Sequence, residues 1–190
     1  MTNLAGTKIA IYGSSGSGKS TLGYSLIKDS PPKCCVVIDP EARDGDGVTQ
    51  NVYECLGWIA ERRKLIVFNG ARREDKLSVL LFAAGRSTTA DPIYCMCDEA
   101  PGYLDKMSDA LNAVFFRGRH RGFGIMVLAQ RPSALDTNVR SQCEKTYWLR
   151  MVDHQDQAVA AKQIGNDKAR ALSSYAPGEF YLHPQPNEGS

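Results

Sequence analysis

Residues Gly13 to Ser20 read Gly-Ser-Ser-Gly-Ser-Gly-Lys-Ser, a match to the pattern G-x-x-x-x-G-K-[ST], and their flanks decide the fold. Before them lies Lys8-Ile-Ala-Ile-Tyr12, an apolar run of strand length. After them, Ser20 to Lys28 carries Leu22 and Leu26 on one helical face and stops at Pro31-Pro32. A glycine-rich turn between strand and helix is the context in which this pattern holds phosphate. Gly13, Gly16 and Gly18 permit turns closed to other residues, so the N–H groups around Ser14, Ser15 and Ser17 can converge on phosphate oxygens. The helix start adds its positive dipole end. Lys19 suits a point charge on the β- and γ-phosphates, Ser20 a hydroxyl ligand to Mg²⁺, and Thr21 the α-phosphate. The expected ligand is a nucleoside triphosphate, ATP, with Mg²⁺.

Beyond the cradle, short apolar runs alternate with segments of helical period, the signature of a mainly parallel sheet flanked by helices in an α/β domain. Strands are expected at Cys34 to Ile38, Leu65 to Phe68, Ile93 to Cys97, Gly124 to Ala129, Thr146 to Leu149 and Glu179 to Leu182. Helices are expected at Glu74 to Ala84 and His154 to Ile164. Leu104, Met107, Leu111, Val114 and Phe115 mark the inward stripe of another. Asp39 to Gln50 is polar and reads as a loop, and Asn51 to Lys64 carries mixed signals with part of it helical. Residues 1–183 are expected to form one domain. The tail 184–190, polar with two prolines, is expected to be disordered.

Composition narrows the function classes. Of 190 residues, 43% are hydrophobic and 23% charged, ordinary values for a globular chain. Lysine and arginine number 23 against 21 acidic residues, a net charge of +2, which excludes a bulk polycation; any nucleic-acid contact must be local. The six cysteines (34, 35, 55, 95, 97 and 143) show neither C-x-x-C nor metal-type spacing and read as small buried hydrophobes. The start, Met-Thr-Asn-Leu-Ala-Gly, lacks signal-peptide regions, and no apolar run nears the ~20 residues that span a bilayer. A soluble chain from a reducing compartment is expected.

Two further strand ends carry chemistry. Ile93 to Cys97 delivers Asp98 and Glu99 at its C-terminal end, the edge where open α/β sheets bind ligands. Asp98 suits Mg²⁺, directly or through water, and Glu99 the general base for an attacking water. Gly124 to Ala129 ends in Gln130, placed to sense the γ-phosphate or the lytic water. Arg117-Gly-Arg119-His-Arg121 packs three guanidinium groups into five positions. It reads either as the source of an arginine finger for a neighbour's γ-phosphate or as a basic face or DNA-phosphate patch.

Together these residues resemble the FtsK–HerA superfamily of DNA-pumping ATPases, in the additional-strand catalytic-glutamate branch of RecA-like P-loop NTPases. The resemblance is carried by Gly13 to Ser20, Ile38-Asp39-Pro40-Glu41, Asp98-Glu99, Leu128-Ala-Gln130-Arg131-Pro132-Ser133 and Ala176-Pro-Gly178-Glu-Phe-Tyr181. In size it looks most like the genome-packaging ATPases of tailless icosahedral dsDNA viruses with an internal membrane. The resemblance implies a sheet with the Gln130 strand between the cradle strand and the Asp98-Glu99 strand. It also implies a ring-shaped homo-oligomer of about six subunits, Arg119 or Arg121 reaching across the interface as a catalytic group with Lys19, Glu99 and Gln130, and Asp39 or Glu41 near the nucleotide. The partner would be double-stranded DNA, bound without sequence preference. The place of action would be a virion vertex, beside capsid or membrane proteins, or the host cytoplasm.

Segment Glu61 to Lys76, with six basic and three acidic residues, and Arg131, Arg140, Lys145 and Arg150 are candidates for DNA phosphates or for an ordinary solubilising surface. Three other readings use the same cradle: a cellular HerA-like DNA pump, a small-molecule or nucleoside kinase, and a nucleotide-gated switch that hardly hydrolyses.

Overall fold

The computed structural model describes residues 4–42 and 47–184. In chain order the elements are β1 (Lys8–Tyr12), α1 (Lys19–Asp29), β2 (Cys34–Ile38), β3 (Val48–Thr49), α2 (Val52–Ala60), β4 (Leu65–Phe68), α3 (Arg73–Arg86) and β5 (Ile93–Cys97). They continue with α4 (Asp109–Arg117), β6 (Gly124–Ala129), α5 (Thr137–Ser141), β7 (Lys145–Trp148), α6 (His154–Ile164), α7 (Asn166–Ala171) and β8 (Tyr181–His183). The strands form one sheet in the order β3-β4-β2-β5-β6-β1-β7-β8, parallel throughout except for the antiparallel β7–β8 pair. This is the expected RecA-like arrangement, with β6 between β1 and β5.

The sheet is covered on both sides, which is why β1, β2, β5 and β6 read as near-continuous apolar runs, Lys8 apart, and are buried from end to end. Alternate residues feed two cores. Ala10, Tyr12, Val36, Ile38, Cys95 and Cys97 face a core shared with α2, α3, α4 and α6, whereas Ile9, Ile11, Cys35, Val37, Tyr94 and Met96 face a second core beneath α1. Cys34, Cys35, Cys55, Cys95 and Cys97 are buried as small hydrophobes, and Cys143 is half-buried. No helix among the described residues is long and apolar enough to cross a membrane.

Register brings the ends of β1 and β6 level and the ends of β2 and β5 level, the second pair two residues short of the first. Tyr12 pairs with Ala129, Cys97 with Ile38 and Val127. The ladder runs one residue past the strands: Gly13 N–H donates to Ala129 O (3.3 Å), Asp98 N–H to Ile38 O (2.8 Å) and Asp39 N–H to Phe68 O (3.0 Å). The residues after β1, β2, β5 and β6 therefore emerge along one edge.

Several elements differ from the sequence expectation. The predicted loop Asp39 to Gln50 contains β3, whose two residues are too few to show a pattern; residues 43–46 of that loop lie outside the described residues. The stretch with mixed signals, Asn51 to Lys64, contains α2, and β4 follows it as expected. Leu104 and Met107 precede α4, because the Ser108 side chain caps the helix by accepting from Leu111 N–H at 3.3 Å; Leu104 is still buried. The last strand begins at Tyr181, since the Glu179 carboxylate turns back to accept from Ala176 N–H at 2.9 Å. The short helices α5 and α7 were not expected. Of the predicted tail, residues 185–190 lie outside the described residues.

The start of α2 rests on Asn51, whose Oδ1 accepts from Tyr53 N–H at 3.0 Å and from Glu54 N–H at 3.4 Å. Asn51→Ala is expected to lower stability by about 0.5–2 kcal/mol. Urea melting checks this, with the midpoint moving and the slope unchanged.

Candidate functional site

Gly18, at φ 97°, stands where a capping Ser, Thr or Asp usually sits, and no side chain caps α1. The helices α2, α4, α5 and α6, by contrast, are each capped by the side chain of Asn51, Ser108, Asp136 or Asp153. The N-terminus of α1 thus presents its N–H donors and dipole without an internal acceptor. Neighbouring segments hold the loop leading into it. Ser14 N–H donates to Arg150 O at 2.8 Å, and Gly178 N–H to Ser17 O at 2.9 Å. A methyl group on Gly13 would lie 2.6 Å from Ser17 Oγ and 2.8 Å from Leu149 Cβ, so this position needs glycine for space. Lys19 Nζ folds back to donate to Ser14 O at 3.3 Å. Ser15, Gly16 and Thr21 complete the loop and the first turn.

The carboxylates expected at the neighbouring strand end are there. Ser20 Oγ donates to Asp98 Oδ2 at 2.6 Å, which joins the cradle to β5 directly. Asp98 Oδ1 accepts from Glu99 N–H at 2.8 Å. Gln130 Nε2 donates to Glu99 Oε1 at 2.7 Å, joining the ends of β5 and β6. Glu99 itself sits in the left-handed region, at φ 46° and ψ 41°, one of two non-glycine residues with positive φ among the described residues. Such a conformation costs about 1–3 kcal/mol and persists only where the surroundings impose it.

Charge in this crevice is unbalanced. Burial raises the Asp98 carboxyl above the usual range; the bonds from Ser20 and Glu99 N–H oppose the shift, and the nearby Asp39 and Glu99 charges add to it. Burial lowers Lys19, with Glu99, Asp98 and Glu41 pulling the other way. Tyr24 on α1 donates to Asp39 Oδ2 at 3.2 Å, and burial together with Asp39 pushes its phenol upward. Asp39 and Glu41 are therefore both within electrostatic reach of the cradle.

A hydroxyl and a buried carboxylate 2.6 Å apart, with surplus negative charge around them, suit a hard cation such as Mg²⁺. No three His, Cys, Asp or Glu side chains cluster as a metal site among the described residues. The set fits an ion that completes its shell with phosphate oxygens and water, as Mg²⁺ does.

The arginines after α4 separate by what they touch. Arg121 donates through Nη2 to Gly85 O at 2.6 Å and through Nε to Ser87 O at 3.3 Å, which ties it to the end of α3. Arg119 is 70% exposed and, among the described residues, its guanidinium pairs only with Glu144, at 3.8 Å. Arg117 is exposed at the end of α4. All three precede β6 and lie toward the sheet edge opposite the cradle, so none reaches this chain's own Gln130.

No protein-family model matches the sequence. The DNA double-strand break repair helicase HerA of Saccharolobus solfataricus is 29% identical over 99 residues, which cover 48% of this chain and 20% of that protein. A probable helicase of Methanocaldococcus jannaschii is 24% identical over 170 residues, 85% of this chain and 30% of that protein. The genome packaging NTPase B204 from Sulfolobus turreted icosahedral virus 2, solved in complex with AMPPCP, has the same fold. It superposes with a TM-score of 0.75 at 18% identity, over 93% of this chain and 91% of that one. The sequence is thus similar to HerA-type helicases and the fold is shared with B204, which agrees with the expected resemblance to the FtsK–HerA superfamily. It spans 20% to 30% of the length of the two helicases.

The sequence reading brought Lys19, Ser20, Asp98, Glu99 and Gln130 to one edge, and the structure places them together. It missed Tyr24, which no motif marks, and the contact of Arg150 with the cradle. Several candidate DNA-contacting cations are engaged within the chain. Arg62 pairs with Asp91 (2.8 Å), Arg73 with Asp105 (3.1 Å), Arg131 with Asp153 and Asp156, and Arg140 donates to Pro132 O and Leu135 O.

Because the native carboxyl of Asp98 titrates above its unfolded value, the folded state holds that proton more tightly. Its stabilising contribution is full below the unfolded pKa and is lost as pH rises through the native one. At neutral pH the ionised side chain is therefore a liability for folding. Asp98→Asn is expected to melt a few degrees above the parent at pH 7.5 without ligand, with the gap narrowing as pH falls toward 4. Thermal melting across that range checks the sign.

Proposed function

We propose that this chain is an ATP-hydrolysing DNA translocase that acts on duplex DNA as a ring-shaped homo-oligomer of about six subunits. The observation that carries the reading is the Gln130–Glu99 bond of 2.7 Å beside the Ser20–Asp98 bond of 2.6 Å. A carboxylate oriented by an amide, next to a phosphate cradle, suits water as the attacking group. A kinase instead needs its base at a bound acceptor.

In this reading Gly13 to Thr21 wrap the triphosphate of ATP, and Lys19 leaves Ser14 O for the β- and γ-phosphates. Ser20 and Asp98 would hold Mg²⁺, which neutralises charge on the phosphates when bound. Glu99 takes a proton from water at its free carboxylate oxygen. Gln130, bonded to Glu99, feels whether the γ-phosphate is present and couples that state to the segment after β6. Arg121 serves α3 in its own subunit, so the arginine acting on a neighbour's γ-phosphate is Arg119, exposed and weakly held.

The similarity to HerA and to B204 supports DNA as the substrate moved. The finer reading, packaging of viral double-stranded DNA into a preformed capsid at a virion vertex with capsid or membrane proteins as partners, rests on the likeness to B204 along 93% of the chain. A HerA-like cellular pump is the alternative, and rests on the sequence matches.

Glu99→Gln is expected to retain ATP while phosphate release, stimulated by duplex DNA in the parent, falls by about 10²–10⁴-fold. Turnover equal to the parent's would remove the base assignment, and release that requires an added nucleoside acceptor would favour the kinase.

Arg119→Ala is expected to cost about 10³–10⁵-fold in turnover, and mixing it with Lys19→Ala subunits to restore part of it, since each intact seam then forms between two defective partners. Arg121→Ala should instead lower the melting temperature through the loss of its bonds to α3. No recovery on mixing would argue against action across the seam.

A further inference from the structure

Arg150 lies two residues beyond β7, and its carbonyl accepts the Ser14 N–H at 2.8 Å. That bond sets the residue's backbone against the phosphate loop itself; a methyl group on Gly13 would come within 3.2 Å of the same carbonyl. The Arg150 side chain is half-buried, and its Nε is wholly buried with no hydrogen-bond partner. Among the described residues the guanidinium forms no ion pair. The acidic side chains nearest in sequence are already committed: Asp153 caps α6 and pairs with Arg131, and Asp156 binds Arg131 and Ser133.

An Nε–H removed from water without an acceptor is costly, and an anion reaching the guanidinium from its half-exposed side would complete it. Planar forked donors match phosphate oxygens in particular. The segment touching Arg150 is the one built to receive phosphate.

We infer that Arg150 is a ligand of the nucleotide's phosphate chain, supplied by the same subunit whose loop holds it, and not a contact to DNA. The inference rests on the proposed nucleotide site and adds a second fixed cation to Lys19. It differs from Lys19 in two ways: it comes from β7 rather than the loop, and it carries an unsatisfied donor before the ligand binds. β7 thereby joins β1, β5 and β6 as a strand that delivers a functional group to the cradle edge.

The test uses the full chain and AMPPCP with Mg²⁺, comparing the parent with Arg150→Met, Arg150→Lys and Lys19→Ala by calorimetry and thermal melting. Without nucleotide, Arg150→Met is expected to be at least as stable as the parent, since it keeps the apolar stem and removes the orphaned donor. Its AMPPCP affinity should fall by about ten- to a hundredfold, with Arg150→Lys intermediate, and its affinity for duplex DNA without nucleotide should match the parent's. Unchanged AMPPCP affinity in Arg150→Met would overturn the inference. So would a loss confined to DNA binding, or a drop in ligand-free stability with no change in affinity. Should Arg150→Met fail to fold, Arg150→Gln carries the same comparison. A parent that does not bind AMPPCP would remove the nucleotide site and this inference together, whereas a parent that binds while Arg150→Met binds equally removes the inference alone.

Discussion

The Ser20–Asp98 hydrogen bond joins a helix start to a strand end 78 residues away, and the geometry of the whole site depends on the sheet register that makes it possible. Gly13 stands level with Gln130, and Asp98 two residues lower beside Leu128, because β1, β6 and β5 are in parallel contact in that register, which leaves Glu99 within reach of Gln130. A slip of one residue in β5 would turn Asp98 into the core and Cys97 into the crevice, since strand side chains alternate with period two. The two apolar cores forbid that slip: Cys95 and Cys97 belong to one, Tyr94 and Met96 to the other. Function at the edge is thus protected by burial in the middle.

What could be read from the sequence follows from how local each signal is. The four central strands declare themselves because both of their faces are covered, so the runs are apolar almost throughout, with Lys8 at the start of β1 the charged exception. The cradle declares itself because glycine is required at Gly13 for space and at Gly18 for its positive φ, and Lys19-Ser20 must follow at once. Gln130 is legible as a polar residue ending a buried strand. β3 is not, because two residues have no period, and α5 and α7 are too short to display one. Leu104 and Met107 misled for a physical reason: they are inward-facing residues held by tertiary packing, while the helix itself starts only where Ser108 caps it. The roles of the arginines are the least local of all. Arg121 and Arg119 are two residues apart and chemically identical, yet one is fastened to carbonyls at the end of α3 and the other meets solvent. Arg150 is a lone cation at a strand end, and only the β1–β7 pairing brings it to the loop near the other end of the chain.

The crevice trades stability for chemistry, and the trade has a direction. Burial raises Asp98 and lowers Lys19, so each charge is held less comfortably than it would be in water, even though each lies near the other. Glu99 keeps a left-handed backbone that a non-glycine residue avoids, and α1 has no side-chain cap where four other helices do. All four features sit at the same edge, and the two shifted charges and the uncapped helix would each be relieved by a ligand that is anionic toward the loop and cationic toward the carboxylates. A metal-bound polyphosphate has that polarity. Because the loop is already fastened at Ser14 and Ser17 by Arg150 and Gly178, such a ligand need not order it, and its binding energy is free to act on Lys19, Glu99 and Gln130. In the proposed ATPase the unbalanced groups are then the ones whose state would change with the ligand, while the fastened groups stay fixed. That separation would let a rigid sheet report the occupancy of its edge.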